Sequence, residues 1–231
     1  MPVSRWTIAS LLLFLLASSA WAADPEGKGP LRSWPYQDLQ KHLPPNVHLM
    51  LDQRSVEMFL AALDDRPPDW ASVYGHGHHD PGHDDRLFTL NRERDAKREG
   101  RRALAWPIAF VWSGTLSSYN QAERGFPLSL GPKFMRTSWG MVRFKPDEAP
   151  GNLVVVPEPG QRRRLQTQLT KGEPVEIDVL MTGRLIPNES LVYDFSHDEE
   201  GLGLIMPFVR VERIDYLMPT STPGTPKKSR P

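Results

Sequence analysis

Cysteine is absent from the 231-residue chain. Its absence excludes disulfide bonds, a thiol nucleophile and any zinc site with cysteine ligands. It also excludes a lipid attached to an N-terminal cysteine after export. The stability of the fold must therefore come from packing and polar contacts, without covalent cross-links.

The chain also lacks net charge and long apolar runs. Its 28 lysines and arginines balance 28 aspartates and glutamates, so no overall field attracts nucleic acid or an anionic membrane. No apolar run approaches the ~20 residues that a membrane-spanning helix needs, and we expect no transmembrane segment in the mature protein. Phosphate-binding loops, dinucleotide-binding glycine patterns, zinc-protease helices and internal repeats are missing as well.

The first 22 residues have the pattern of a secretory signal peptide. Arg5 precedes an apolar run over residues 8–16, and Ala20-Trp21-Ala22 is a small-x-small cleavage site. We predict cleavage near the Ala22/Ala23 bond and a soluble mature protein. Its location is the periplasm or the extracellular space, because the same signal serves both destinations.

Proline and glycine are frequent, with 23 and 17 copies, which favours short strands and loops over long helices. Residues 23–35 are polar and rich in both, and they predict a flexible lead into the fold. Residues 219–231 have the composition of a disordered tail. The structured part is therefore expected between residues 36 and 218.

Residues 36–103 predict a small helical region. A short helix is expected over 36–43, and a second begins after Asp52 as N-cap and ends before Pro67-Pro68. The apolar residues of this second helix recur at i, i+3, i+4 and i+7, at Val56, Phe59, Leu60 and Leu63. A third helix over 84–102 has a thin apolar stripe, so we expect it to be exposed or only partly ordered.

Residues 104–218 predict a β domain. Strands are expected at residues 108–116, 140–144, 152–156, 174–185, 191–195 and 206–217. A one-face helix over 160–172 separates the third strand from the fourth. Gly114 breaks the alternation of the first strand and predicts a β-bulge, and a second bulge is expected near Glu212 or Arg213.

This order of strands and helix is that of an oligonucleotide/oligosaccharide-binding (OB) barrel. The stretch Leu169-Thr170-Lys171-Gly172-Glu173-Pro174-Val175-Glu176-Ile177, with Gly183-Arg184-Leu185 after it, resembles a segment common in small bacterial OB-fold domains. We therefore predict an α+β protein with a helical region followed by a five-stranded antiparallel OB-like barrel. The resemblance implies a binding module more often than an enzyme, and the acidic Glu176 and Asp178 on the best strand argue against a nucleic-acid partner.

The richest cluster of chemical groups is a loop with four histidines and several carboxylates. His76, His78, His79, Asp80 and His83 are candidate metal ligands, and this donor set suits zinc, nickel or copper(II). Nearby glycines let the loop wrap around a cation, but a solvated surface loop has the same composition. Its start also resembles the His-x-His-x-Asp-His motif of metallo-β-lactamase-fold hydrolases, but Pro81 stands where that family needs its third histidine.

Two further polar clusters have simpler interpretations. Arg162, Arg163 and Arg164 lie at the start of the short helix and are candidate anion-binding residues, or an ordinary charged surface. Residues 196–201 contain a serine, a histidine and three carboxylates. Neighbours in sequence cannot face one another as a nucleophile and its base must, so a solvated loop is the better interpretation and no catalytic residue is assigned.

The sequence thus favours an exported, soluble, non-catalytic binding or accessory protein of the cell envelope. Its partner would be an envelope protein or a small ligand. The alternative is a metal-binding protein or metal-dependent hydrolase that uses the loop at residues 76–83. The ligand and the oligomeric state have no signature in the sequence.

Overall fold

The computed structural model describes residues 27–75, 80–147, 151–186, 191–195 and 202–218. The predicted signal peptide and C-terminal tail lie outside the described residues. The strands are β1 (Lys28–Arg32), β2 (His48–Met50), β3 (Pro107–Leu116), β4 (Phe126–Gly131), β5 (Met135–Thr137), β6 (Gly140–Val142), β7 (Lys145–Asp147), β8 (Val154–Val156), β9 (Glu176–Leu185), β10 (Leu191–Phe195) and β11 (Gly203–Leu217). The α-helices are α1 (Gln53–Asp64), α2 (Trp70–Tyr74), α3 (His83–Arg98) and α4 (Pro159–Thr170), and two 3-10 helices cover Tyr36–His42 and Arg102–Ala105.

Six strands close into a mixed β-barrel, which makes the protein an α+β structure. The order around the barrel is β1-β8-β4-β3-β9-β11, and β11 pairs again with β1. β1 runs parallel to both neighbours, with Lys28 opposite Val154 and Leu31 opposite Tyr216.

The expected five-stranded, fully antiparallel barrel is therefore wrong in strand number and direction. The sixth strand is β1, which lies inside the segment that composition predicts to be flexible. β1 is held by backbone pairing with two strands, β8 and β11, whose edges would otherwise have unpaired backbone groups. Local composition carries no information about those partners, because they lie more than 100 residues away along the chain.

Alternation along the barrel strands separates two hydrophobic clusters on the two faces of the wall. Phe110 of β3 and Leu165 of α4 belong to the main core. Val111 of β3 and Leu180 of β9 point the other way and pack beneath Leu39 of the first 3-10 helix. The helix predicted over residues 160–172 and the strand predicted over residues 174–185 are confirmed as α4 and β9.

One of the two expected bulges is present. The register of β11 against β9 shifts between Val211 and Arg213, as the sequence predicts. The prediction of a bulge at Gly114 is wrong, because Gly114 pairs in regular register with both neighbouring strands. A Cβ atom at this position would lie 2.7 Å from the side chain of Leu128, so the glycine makes room for that side chain.

β11 is long enough to pair with two different sets of strands. Its C-terminal half belongs to the barrel, while its N-terminal half pairs with β10 and β6. The indole of Trp70 in α2 donates a hydrogen bond of 2.6 Å to the carbonyl of Trp139, which lies between β5 and β6. A Cβ at Gly203 would come within 2.1 Å of the Trp70 ring, so α2 can approach this sheet only over a glycine.

The helices agree with the predicted pattern in α1 and depart from it in α3. Asp52 caps α1 by accepting a 2.8 Å hydrogen bond from the Ser55 amide, and the four predicted apolar residues of α1 are buried. α3 is docked rather than exposed, and its buried residues are Arg94 and Arg98. None of the helices in the described ranges combines the length and apolarity needed to cross a membrane.

Candidate binding groove

A groove of about 770 Å³ lies between α3 and the chain that leads from the end of α1 through α2. We call it the α3 groove. Its lining residues are Arg66, Pro67, Pro68, Asp69, Ser72, Val73, Asp85, Arg86, Thr89, Leu90, Glu93, Arg94 and Lys97. The volume is in the range of small-ligand sites.

Two arginines of α3 connect the walls of the groove. Arg86 donates from Nε to the Val73 carbonyl at 2.9 Å and forms a 2.9 Å ion pair with Asp80. Arg94 donates to the carbonyls of Arg66 at 2.7 Å and Pro67 at 3.2 Å. The two arginines are eight residues apart, about 12 Å along the helix. They tie the two walls of the groove together at two points.

The rest of the lining includes apolar residues and charged side chains. Val73 and Leu90 contribute apolar side chains to the lining. Arg66, Lys97, Asp85 and Glu93 contribute two positive and two negative charges. No hydrogen bond or ion pair joins these four side chains to another residue in the described part of the chain. Their charges are therefore available to a ligand.

A buried polar network supports the groove from below. Asp64 and Arg98 form an ion pair with 3.0 Å between Oδ1 and Nε, and their side chains are 0% and 2% exposed. The Tyr193 hydroxyl donates to the other oxygen of Asp64. Burial, followed by the negative charge of Asp64, raises the pKa of Tyr193 far above its usual range. This tyrosine stays neutral at any physiological pH, and the network is enclosed, so its role is to fix α1, α3 and β10 together.

α3 also covers the outer edge of β10. The side-chain amide of Asn91 donates to the Tyr193 carbonyl and accepts from the Tyr193 amide, both at 2.8 Å. Arg98 donates to the Leu191 carbonyl at 2.8 Å. These contacts satisfy backbone groups that a strand edge would otherwise leave open. The polar residues that made α3 look exposed are the ones that dock it.

Only two of the five predicted metal ligands lie within the described residues. His76, His78 and His79 lie outside the described residues, whereas Asp80 and His83 lie within them. Asp80 is held by Arg86. The His83 ring packs edge-on against Phe195, and its Nδ1 lies 2.6 Å from the Asp80 carbonyl. Among the described residues, no three His, Asp or Glu side chains converge on a cation position.

The predicted anion site lies on α4, at the barrel and away from the groove. Arg162 packs over the Tyr119 ring and donates to its hydroxyl at 3.3 Å. Arg163 and Arg164 are exposed. The polar cluster at residues 196–201 lies outside the described residues.

The α3 groove was missed in the sequence. One signal for it is present in the spacing of Arg86, Leu90, Arg94 and Arg98, which share one face of a helix at intervals of four residues. Arginines in the place of an apolar stripe indicate that the helix docks on backbone carbonyls and carboxylates. The second wall, at residues 66–73, has no such signal.

Comparisons with known proteins gave no relative of this chain. No protein-family model matches it, and no curated protein or solved structure is significantly similar. The function is therefore inferred from the geometry of the groove.

Proposed function

We propose that the protein is an exported, non-catalytic binding protein of the cell envelope, and that it holds a small ligand in the α3 groove. The observation that carries this proposal is the groove itself. It has a volume of about 770 Å³, fixed walls, an apolar part and four charges without partners in the described part of the chain. Such a combination is typical of a preformed recognition site.

Two reactive groups near the groove, the Tyr193 hydroxyl and the Thr89 hydroxyl, are not placed for catalysis. The Tyr193–Asp64 pair is enclosed, with Tyr193 1% exposed, so a substrate in the groove cannot reach it. The Thr89 hydroxyl of the lining donates to the Asp85 carbonyl at 2.8 Å. A hydroxyl nucleophile must donate its proton to a general base, whereas the Thr89 hydroxyl donates to a backbone carbonyl, which cannot act as a base.

We further infer that the barrel is a variant of the OB fold. In chain order β3, β4, β8, β9 and β11 follow one another with α4 between the third and the fourth, which is the OB order. β1 then lies between β8 and β11 as an additional strand. In this proposal the barrel is the scaffold, and the groove is built on its helical side.

Nuclear magnetic resonance of the mature protein tests the proposal directly. We expect one class of a panel of short peptides, oligosaccharides, nucleotides and fatty acids to shift the amide signals of Val73 and Leu90. The variant Thr89→Trp fills the groove and should abolish that shift. Thr167→Trp is the matched control, because Thr167 is also an exposed helical threonine that donates to the carbonyl four residues earlier.

Two results would contradict this function. One is that no member of the panel shifts groove signals. The other is turnover of an ester, phosphate or peptide substrate that Thr89→Trp abolishes and Thr167→Trp leaves unchanged, which would make the groove an active site.

A further inference from the structure

The unpartnered charges of the α3 groove are separated by sign along its length. Asp85 lies in the first turn of α3, and Lys97 lies in its last turn. Twelve residues separate them, which is about 18 Å along a helix axis. Arg66 belongs to the Lys97 end, because its carbonyl is bound by Arg94, one turn before Lys97.

This arrangement restricts the charge of a ligand that fills the groove. A dicarboxylate would meet Asp85 unfavourably, and a polyamine would meet Arg66 and Lys97 unfavourably. A molecule with one positive and one negative end, about 18 Å apart, is attracted at both ends. Neutral apolar surface between them would lie on Val73 and Leu90.

We propose that the ligand is a linear peptide of about five residues with free amino and carboxyl termini. This inference rests on the proposed binding function of the groove. An extended chain advances about 3.3–3.6 Å per residue, so five residues span about 18 Å. The peptide amine lies at Asp85, and its carboxylate lies at Arg66 and Lys97.

Glu93 favours a basic residue at one position of the peptide. It lies eight residues after Asp85, about 12 Å along α3, and its carboxylate has no partner among the described residues. This distance falls at the fourth residue of an extended peptide, since three residues span only about 10–11 Å. A lysine or arginine at the fourth position would face Glu93, so the peptide carries a basic residue next to its C-terminus.

Isothermal titration calorimetry with Ala-Ala-Ala-Lys-Ala tests the inference. The free pentapeptide should bind, and acetylation of its amine or amidation of its carboxylate should each weaken binding about tenfold, as expected for the loss of one charged contact. Asp85→Asn should bind the free and acetylated peptides equally while still discriminating against the amide. Lys97→Gln should show the opposite pattern.

Matched variants separate local contacts from general charge effects. Asp84→Asn removes a neighbouring negative charge, and Arg92→Gln removes a positive charge from α3, and neither residue lines the groove. Both controls should discriminate against the two capped peptides as the unmodified protein does. Equal loss of discrimination in a control and its test variant would overturn the proposal.

The remaining outcomes distinguish this inference from the proposed function. Failure of the free pentapeptide to bind, or equal binding of all capped forms, overturns the peptide assignment. If another ligand class then shifts Val73 and Leu90 signals, the binding function stands and only the peptide is wrong. If nothing shifts them, both fail together.

Discussion

Arg98 and Asp64 form an ion pair that is almost completely enclosed, with 3.0 Å between Nε and Oδ1. The pair joins the last turn of α3 to the last residue of α1. Buried ion pairs are costly to break, because removal of one partner leaves an uncompensated charge in a poorly polarisable interior. The wall of the α3 groove therefore depends on a contact that lies outside it.

Replacing Arg98 with methionine should destabilise the protein by about 3–5 kcal/mol, because Asp64 is then left buried without its partner. Urea denaturation measures this difference. Arg92→Met on the exposed face of α3 is the control and should change stability by less than about 0.5 kcal/mol. The double variant Arg98→Met, Asp64→Leu should recover part of the loss. If the double variant is no better than the single one, the ion pair is not the cause.

Replacing Asn91 with alanine should expose the edge of β10. We expect a loss of about 1–3 kcal/mol, since two backbone groups of Tyr193 lose their partners. Hydrogen exchange should accelerate at the Tyr193 amide, which donates to Asn91 in the folded protein. Asn152→Ala, at an exposed asparagine, provides the control. Unchanged exchange at Tyr193 would show that α3 does not protect this strand.

Asp52 should make stability depend on pH in the acid range. Hydrogen bonds from the Ser55 amide and hydroxyl hold the pKa of Asp52 below its usual value. A depressed pKa gives stability that is present above the unfolded pKa, near 4, and is lost as the pH falls through the folded pKa. Asp52→Ala should cost about 1 kcal/mol at pH 7 and progressively less below pH ~4.

Asp52→Asn keeps a capping side chain that does not titrate. It should therefore retain most of the stability at pH 7 and lose this component of the acid dependence. Thermal unfolding from pH 2.5 to 7 measures both variants. A constant difference between Asp52→Ala and the unmodified protein over this range would contradict the assignment.

Metal binding at the histidine loop should be weak, because Asp80 is already held by Arg86. Titration of zinc, nickel and copper by calorimetry should give similar weak binding for the unmodified protein and for a variant with His76, His78 and His79 changed to Ala. Arg86→Gln removes the ion pair of Asp80 but keeps its hydrogen bond from the Gly82 amide, and it should strengthen any metal binding that uses Asp80. Stoichiometric micromolar binding that the triple variant loses would instead support the metal alternative.

The sequence alone determined the elements whose pattern is local. α1 follows from the Asp52 cap and from apolar residues spaced along one helix face. β9 and α4 likewise follow from a period-two and a four-residue spacing. The bulge in β11 was visible because the side-chain alternation changes parity within one strand. In each case the residues that carry the signal are neighbours along the chain.

Only the tertiary structure decided the closure of the barrel, the docking of α3 and the existence of the groove. β1 is a strand because β8 and β11 flank it, and Arg94 is buried because carbonyls near the end of α1 accept its hydrogen bonds. These partners are separated by about 30 to 190 residues along the chain. Periodicity reports which face of an element is apolar, whereas a buried charge is stabilised by the groups that meet it in space.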